Sequence, residues 1–186
     1  PGFDKGGVCV LRWIDDAREL LRRVPTARRC ICIGGGLLGL EAAGALAGRG
    51  LDVTVLEGHG WLLPRQLAEP AGRLLQLHLE GLGVKVRNHA RATELTGGAD
   101  VEGVRLKDGT EMEADLVVVA TGVRPSSWLA RQCGLEVDRG ILVDDSMASS
   151  DPSIFAAGDV AEHRGTLHSI WPTAFAQGEV AGINAA

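Results

Sequence analysis

The sequence predicts an α/β fold in which a parallel sheet is joined to an antiparallel β-meander, and three observations predict it. First, the apolar run "RCICI" enters a glycine-rich turn and a Leu- and Ala-rich segment, and the β-branched run "LDVTVLE" follows; this is the pattern of a βαβ unit. Second, a later run, "DLVVVATG", is wholly apolar in the manner of a strand buried on both faces. Third, residues 92–115 alternate polar and apolar residues, with Gly97-Gly98 and Asp108-Gly109 as turn signals between antiparallel strands.

The elements follow in order. Residues 15–24, "DDARELLRRV", place acids at the start and bases at the end, which suits a helix dipole, and Pro25 stops the helix. The helix after the glycine turn is expected over Leu37 to Arg49, closed by Gly50. Leu67, Ala71, Leu74, Leu75, Leu79 and Leu82 recur at helical spacing, predicting a helix from Gln66 to Leu82 that Gly83 ends, and "VKVRN" returns to the sheet. Beyond Pro125 the pieces are shorter: a helix near Trp128 to Cys133, weak strands between Gly134 and Val143, a strand at "SIFAAGD", and a last helix from about Thr173. A boundary falls near Gly122 to Pro125 and a weaker one near Arg12 to Asp16.

Hydrophobic residues form 45% of the chain and charged residues 23%, the balance of a folded globular protein rather than a disordered one. With a net charge of −5 and no basic stripe, nucleic acid is not an expected partner. The longest apolar runs are far short of a membrane span, so no membrane association is expected either. The opening "PGFDKGGVCV" lacks the pattern of a signal peptide and reads as a cut within a longer chain. Cys9, Cys30, Cys32 and Cys133 include no C-x-x-C pair, which argues against zinc or a dithiol centre; Cys30 and Cys32, alternating along a strand, are expected to be buried, inert thiols, and a reducing, cytoplasmic setting is implied. The five histidines show no metal-site spacing, so no metal is expected.

Gly34, Gly36 and Gly39 form G-x-G-x-x-G between a strand and a helix, with Gly35, Leu37 and Leu38 between them. In that context the first glycine makes the turn and the second lets backbone approach a pyrophosphate. The third lets helix pack on strand, and the helix start favours the anion. Glu57 ends the next strand, 18 residues after Gly39, where an acid can accept from both hydroxyls of an adenine ribose and repel a 2′-phosphate. No arginine follows it until Arg65, so NAD(H) is favoured over the phosphorylated form. The bland reading of Glu57 is a solvated strand end. Glu41, one turn into the helix, either answers the helix dipole or points to the nicotinamide end of a dinucleotide; residue chemistry leaves both open.

Three segments in order, "GGGLLGLEAA", "VVVATGVRP" and "SIFAAGDVAE", resemble the flavin-dependent pyridine nucleotide-disulfide oxidoreductases. Within them, "LLPRQL" and "IWPTAFAQGEVAGINAA" are most similar to the NADH:rubredoxin reductase and NADH-dependent nitrite reductase types. The resemblance implies a Rossmann-like NAD(H)-binding domain over residues 13–123. Residues 1–12 would be a residual FAD-domain segment, and 124–186 the C-terminal half of a second, partial FAD-binding domain.

It further implies that Gly34, Gly36, Gly39 and Glu57 bind NAD(H), with Glu41 beside the nicotinamide and Ala120, Thr121 and Gly122 passing near it. Gly158 and Asp159 would meet the ribityl chain of FAD, while Trp171, Pro172 and Thr173 aim a helix start at the flavin. No earlier G-x-G-x-x-G precedes Gly34, so the flavin site is expected to be incomplete in this chain. Hydride transfer from NADH to FAD and on to rubredoxin, ferredoxin or a sirohaem nitrite reductase module is the implied activity of the parent enzyme, with this piece itself inactive and oligomerisation left open. The alternative is a dinucleotide-binding module without turnover.

Overall fold

A computed structural model describes all residues, Pro1–Ala186, and the chain divides into two compact units, Pro1–Gly122 and Val123–Ala186. In the first unit a five-stranded parallel sheet has the order β1-β8-β2-β3-β4, formed by Val8–Cys9, Leu116–Val119, Arg29–Ile33, Asp52–Leu56 and Val84–Arg87. Strands β5 (Ala92–Thr96), β6 (Gly103–Leu106) and β7 (Glu111–Glu113) form the expected antiparallel meander. Helices α1 (Ile14–Arg23), α2 (Leu37–Ala47) and α3 (Glu69–Gly81) complete the unit.

The apolar alternation along the strands decides how these layers pack. Cys30, Cys32, Val53, Val55, Leu116 and Val118 share one core with Leu20, Leu40, Leu46 and Leu79 of the helices. Ile31, Leu56 and Val117, at the intervening positions, share a second core with Leu95, Val104 and Leu106 of the meander. A sheet buried on both faces requires strands that are apolar throughout, which is why β2 and β8 read as continuous runs. The three buried thiols are part of this packing. Hydrogen bonding to Cys32, together with burial, drives the Cys30 thiol far above its ordinary pKa, so it stays protonated and unreactive.

Element ends differ from expectation where local chemistry intervenes. Helix α2 stops at Ala47 rather than Arg49. Gly50, at φ +90°, donates to the Ala47 carbonyl (2.8 Å) and Leu51 to that of Leu46 (3.3 Å), closing a Schellman motif. Helix α3 starts at Glu69, three residues later than the apolar spacing suggests, because Pro70 occupies its first turn and disfavours helix before it. Val8 and Cys9 pair with Val117 and Val118 at the edge of the parallel sheet, and residues 1–12 fall within the first compact unit.

In the second unit, α4 (Trp128–Gln132) precedes β9 (Ile141–Val143), which pairs in parallel with β10 (Ala161–His163), and α5 (Trp171–Ala185) ends the chain. The expected strand at "SIFAAGD" is reduced to an isolated antiparallel bridge between Phe155 and Ala148. Pro152 lacks a donor, and the backbone N–H groups of Asp151 and Ser153 bond instead to the Ser149 hydroxyl (3.2 Å) and the Asp151 carboxylate (2.9 Å). A local turn thus precedes the bridge, a 3-10 turn at Gly158–Val160 follows it, and the next full strand, β10, comes after. Helix α5 begins two residues before Thr173, since proline is well placed in a helix's first turn. No helix is long and apolar enough to cross a membrane.

Candidate dinucleotide-binding site

The carboxyl ends of β2, β3 and β8 lie side by side, with Ile33 in register with both Leu56 and Val119. From β2 the chain runs to β3 on one side, while β8 returns on the other, so the order reverses at β2 and opens a crevice beyond the strand ends. The glycine turn fills the floor of this crevice. Gly34 has φ +112°, and a Cβ there would stand 2.3 Å from the Ala120 carbonyl oxygen, which brings Ala120 and Thr121 against the turn. A Cβ on Gly39 would lie 2.0 Å from the Gly34 carbonyl oxygen, so the helix can approach the turn only with glycine in that place.

Gly36 behaves differently: a Cβ on it would meet nothing within 4 Å, so this backbone faces open space. It is the N-cap of α2, and no side chain caps that helix. Uncapped N–H groups at a helix start beside open space form an anion-binding arrangement. Leu37 and Leu38, about half exposed, flank it, and Glu41 is exposed one turn further on.

Glu57 is not a solvated strand end. It is buried, its Oε2 accepts from the Gly35 N–H (2.9 Å), and its Oε1 accepts from the His59 N–H (2.8 Å). His59 Nδ1 lies 2.7 Å from the same Oε1. The acid therefore holds the glycine turn in place as well as edging the crevice. Leu62 is fully buried and Leu63 donates to the Gly35 carbonyl (3.1 Å), which folds the 61–66 loop back on the turn and leaves Arg65 exposed.

In the second unit, Asp159 is exposed in the 3-10 turn, and Gly158, at φ +79°, donates to the Gln177 side-chain oxygen (2.9 Å). Gln177 is itself buried on α5, so it ties this turn to the helix whose first residues are Trp171, Pro172 and Thr173. Trp171 is 76% exposed and stacks on Phe175 with ring centroids 5.5 Å apart. His59 and Gln177 are the two polar residues at these places that sequence reasoning passed over. The available signals were a histidine two residues beyond the acid, and an amide set among small residues in the last helix.

A cavity of about 310 Å³ lies at the opposite, amino ends of the strands and is lined by Arg29, Asp52, Lys85 and Glu113. Its charges are already paired, Arg29 with Glu113 and Lys85 with Asp52, so the crevice above the glycine turn is the better candidate site.

Residues 1–178 match the family model described as pyridine nucleotide-disulphide oxidoreductase. The chain is 44% identical over 97% of its length to the nitrite reductase [NAD(P)H] of Bacillus subtilis, of which it covers 22%. A ferredoxin reductase from Rhodopseudomonas palustris matches the whole chain at 32% identity and a TM-score of 0.92, with 48% of that protein covered. The chain thus spans only a part of these relatives. The water-forming NADH oxidase from Lactobacillus brevis, bound to NADH, also matches throughout, at 26% identity and a TM-score of 0.92, with 43% of it covered.

An engineered form of that oxidase, bound to NADPH, carries five substitutions. Counted from its first substituted residue, a glycine, they fall at an aspartate 18 residues on, an alanine at 19, a methionine at 20 and a proline at 25. Gly39, Glu57 and Pro64 here place a glycine, an acid and a proline at the same spacings, with Gly58 and His59 between. The chain belongs to the pyridine nucleotide-disulphide oxidoreductase family.

Proposed function

We propose that this chain is the NAD(H)-binding part of an FAD-dependent oxidoreductase that passes hydride from NADH to FAD and on to a redox partner. The observation that carries the reading is the buried carboxylate of Glu57 at the end of β3. It is bonded to a glycine turn whose Gly36 opens an uncapped helix start to a ligand. In this reading the backbone around Gly36, Leu37 and Leu38 holds the pyrophosphate, and Glu57 accepts from the adenine ribose. Glu41 and the Ala120–Gly122 segment lie at the nicotinamide end. The acid's negative charge disfavours a 2′-phosphate. The oxidase pair supports this, since the form that binds NADPH has lost the acid at the corresponding spacing.

Flavin accepts hydride at its ring and releases electrons singly or in pairs, so the protein's contribution is alignment and electrostatics. The second unit offers part of such a site: Asp159 and Gly158 on one turn, and the start of α5 at Trp171, Pro172 and Thr173. One acid and one helix start fit a ribityl chain and a ring edge, but the chain carries a single glycine-rich pyrophosphate loop, and we assign that loop to NAD(H). The acceptor class follows the relatives: a rubredoxin, a ferredoxin or a sirohaem nitrite reductase module, in the cytoplasm.

The large exposed side chains of the second unit, Trp128, Leu129, Trp171 and Ile183, favour a second reading in which this piece binds the dinucleotide without turnover. Flavin absorbance in the purified chain would select the enzyme, and a colourless chain that binds NADH would select the module. The binding claim itself is tested by Glu57→Ala, which should weaken NADH by about 1–3 kcal/mol in a calorimetric titration, as charged hydrogen bonds to the ribose are lost. An unchanged dissociation constant would remove Glu57 from the site.

A further inference from the structure

We infer that His59 is a specificity-determining residue whose charge sets how strongly the site prefers a ribose hydroxyl over a 2′-phosphate; the inference rests on the NAD(H)-binding reading above. A carboxylate has about four acceptor positions. Three on Glu57 are taken: Oε2 by the Gly35 N–H, and Oε1 by both the backbone N–H and the ring Nδ1 of His59. One position remains, yet an adenine ribose presents two hydroxyls. The two backbone bonds belong to the turn and stay. The ring does not have to stay, because the His59 side chain is 64% exposed while that of Glu57 is 8% exposed. The imidazole therefore occupies the place of the second ribose hydroxyl, and a ribose that engages Glu57 through both hydroxyls displaces it.

This exchange depends on charge. Histidine is the side chain that changes charge between about pH 5 and 8. A neutral ring is a weak competitor and leaves Glu57 free to select the ribose and repel a phosphate. A protonated ring pairs with Glu57, competes with the ribose, and compensates the negative charge that a 2′-phosphate would meet. The other titratable or charged groups around it are few. His89 donates its N–H to the His59 carbonyl (2.9 Å), and its ring lies 3.3 Å from where a Cβ on Gly60 would stand. The Arg91 side chain passes 3.6 Å from a Cβ on Gly58. Of these groups only the His59 ring bonds Glu57 directly, so the proton it carries decides the charge there. Independently, the position 20 residues after the glycine, here His59, is among the five altered in the oxidase form that binds NADPH.

The test uses the full chain with ADP-ribose and 2′-phospho-ADP-ribose, which share the pyrophosphate and are stable in mild acid, titrated calorimetrically at pH 8 and pH 5.5. In the unaltered chain the preference for ADP-ribose should fall about tenfold between the two pH values, the size expected when one charge-assisted contact is redirected. In His59→Gln the preference should change by no more than the ligand phosphate's own protonation allows, and ADP-ribose should bind more tightly than to the unaltered chain at pH 5.5. An equal fall in both chains would assign the effect to His89 or the ligand and overturn the inference while leaving the binding site intact. Failure of ADP-ribose to bind at either pH would instead overturn the NAD(H)-binding reading on which it rests.

Discussion

Gly39 shows how a single residue couples the sequence pattern to the geometry of the site. Its Cα faces the Gly34 carbonyl so closely that a methyl group would sit 2.0 Å from the oxygen, and that oxygen belongs to the turn that lines the crevice. Gly39→Ala should therefore push α2 off the turn, destabilising the chain by about 1–3 kcal/mol and weakening NADH binding together with it. Thermal melts with and without NADH would show this as a lower Tm and a smaller ligand-induced rise; an unaltered Tm would mean that the helix gives way without cost. At this scale the glycines and Glu57 were readable because each answers a rule of spacing. His59 and Gln177 were not, because their roles depend on which way one side chain turns, and no repeat in the sequence encodes that. Nor could sequence tell that Glu57 would be buried and bonded to the turn rather than solvated.

At the scale of elements, the strands and helices of the first unit follow from apolar periodicity, and the departures come from side chains that compete for backbone groups. The turn that shortens the expected strand at Ser153 to Asp159 to one bridge is one case. Glu162 is another: buried on β10, it accepts from the Arg139 and Gly140 N–H groups (3.0 and 2.9 Å) and so fixes the entry to β9, a long-range link that no local pattern announces.

Asp115 does the same between β2 and β8, accepting from the Arg28 and Arg29 N–H groups (3.0 and 2.8 Å) and the Arg29 guanidinium (3.0 Å). The Arg29 hydrogen bond, helped by these backbone donors, holds its pKa well below the usual carboxylate range, at about 2. A depressed carboxylate stabilises the folded chain above its unfolded pKa, and the stabilisation is lost as pH falls through the folded value. With a third of the side chain exposed and screened, Asp115→Asn should cost about 1 kcal/mol at neutral pH. Denaturant unfolding should show that gap closing between about pH 4 and pH 2. A gap of constant size across that range would show that the carboxylate's charge is not what joins the strands.

For the molecule as a whole, the chain divides into two compact units between Gly122 and Val123. The apolar runs that bury both faces of the parallel sheet were plain in the sequence, and the sheet they build carries the glycine turn at the end of β2. The central claim concerns the first unit alone: a single NAD(H) site built on the turn at Gly34–Gly39 and selected by Glu57. Calorimetric titration of the intact chain with NADH and with NADPH at pH 8 tests it most directly. The account predicts one saturable NADH site per chain, with NADPH bound at least about tenfold more weakly through repulsion by the buried carboxylate; absence of saturable NADH binding, or equal affinity for both, would contradict it.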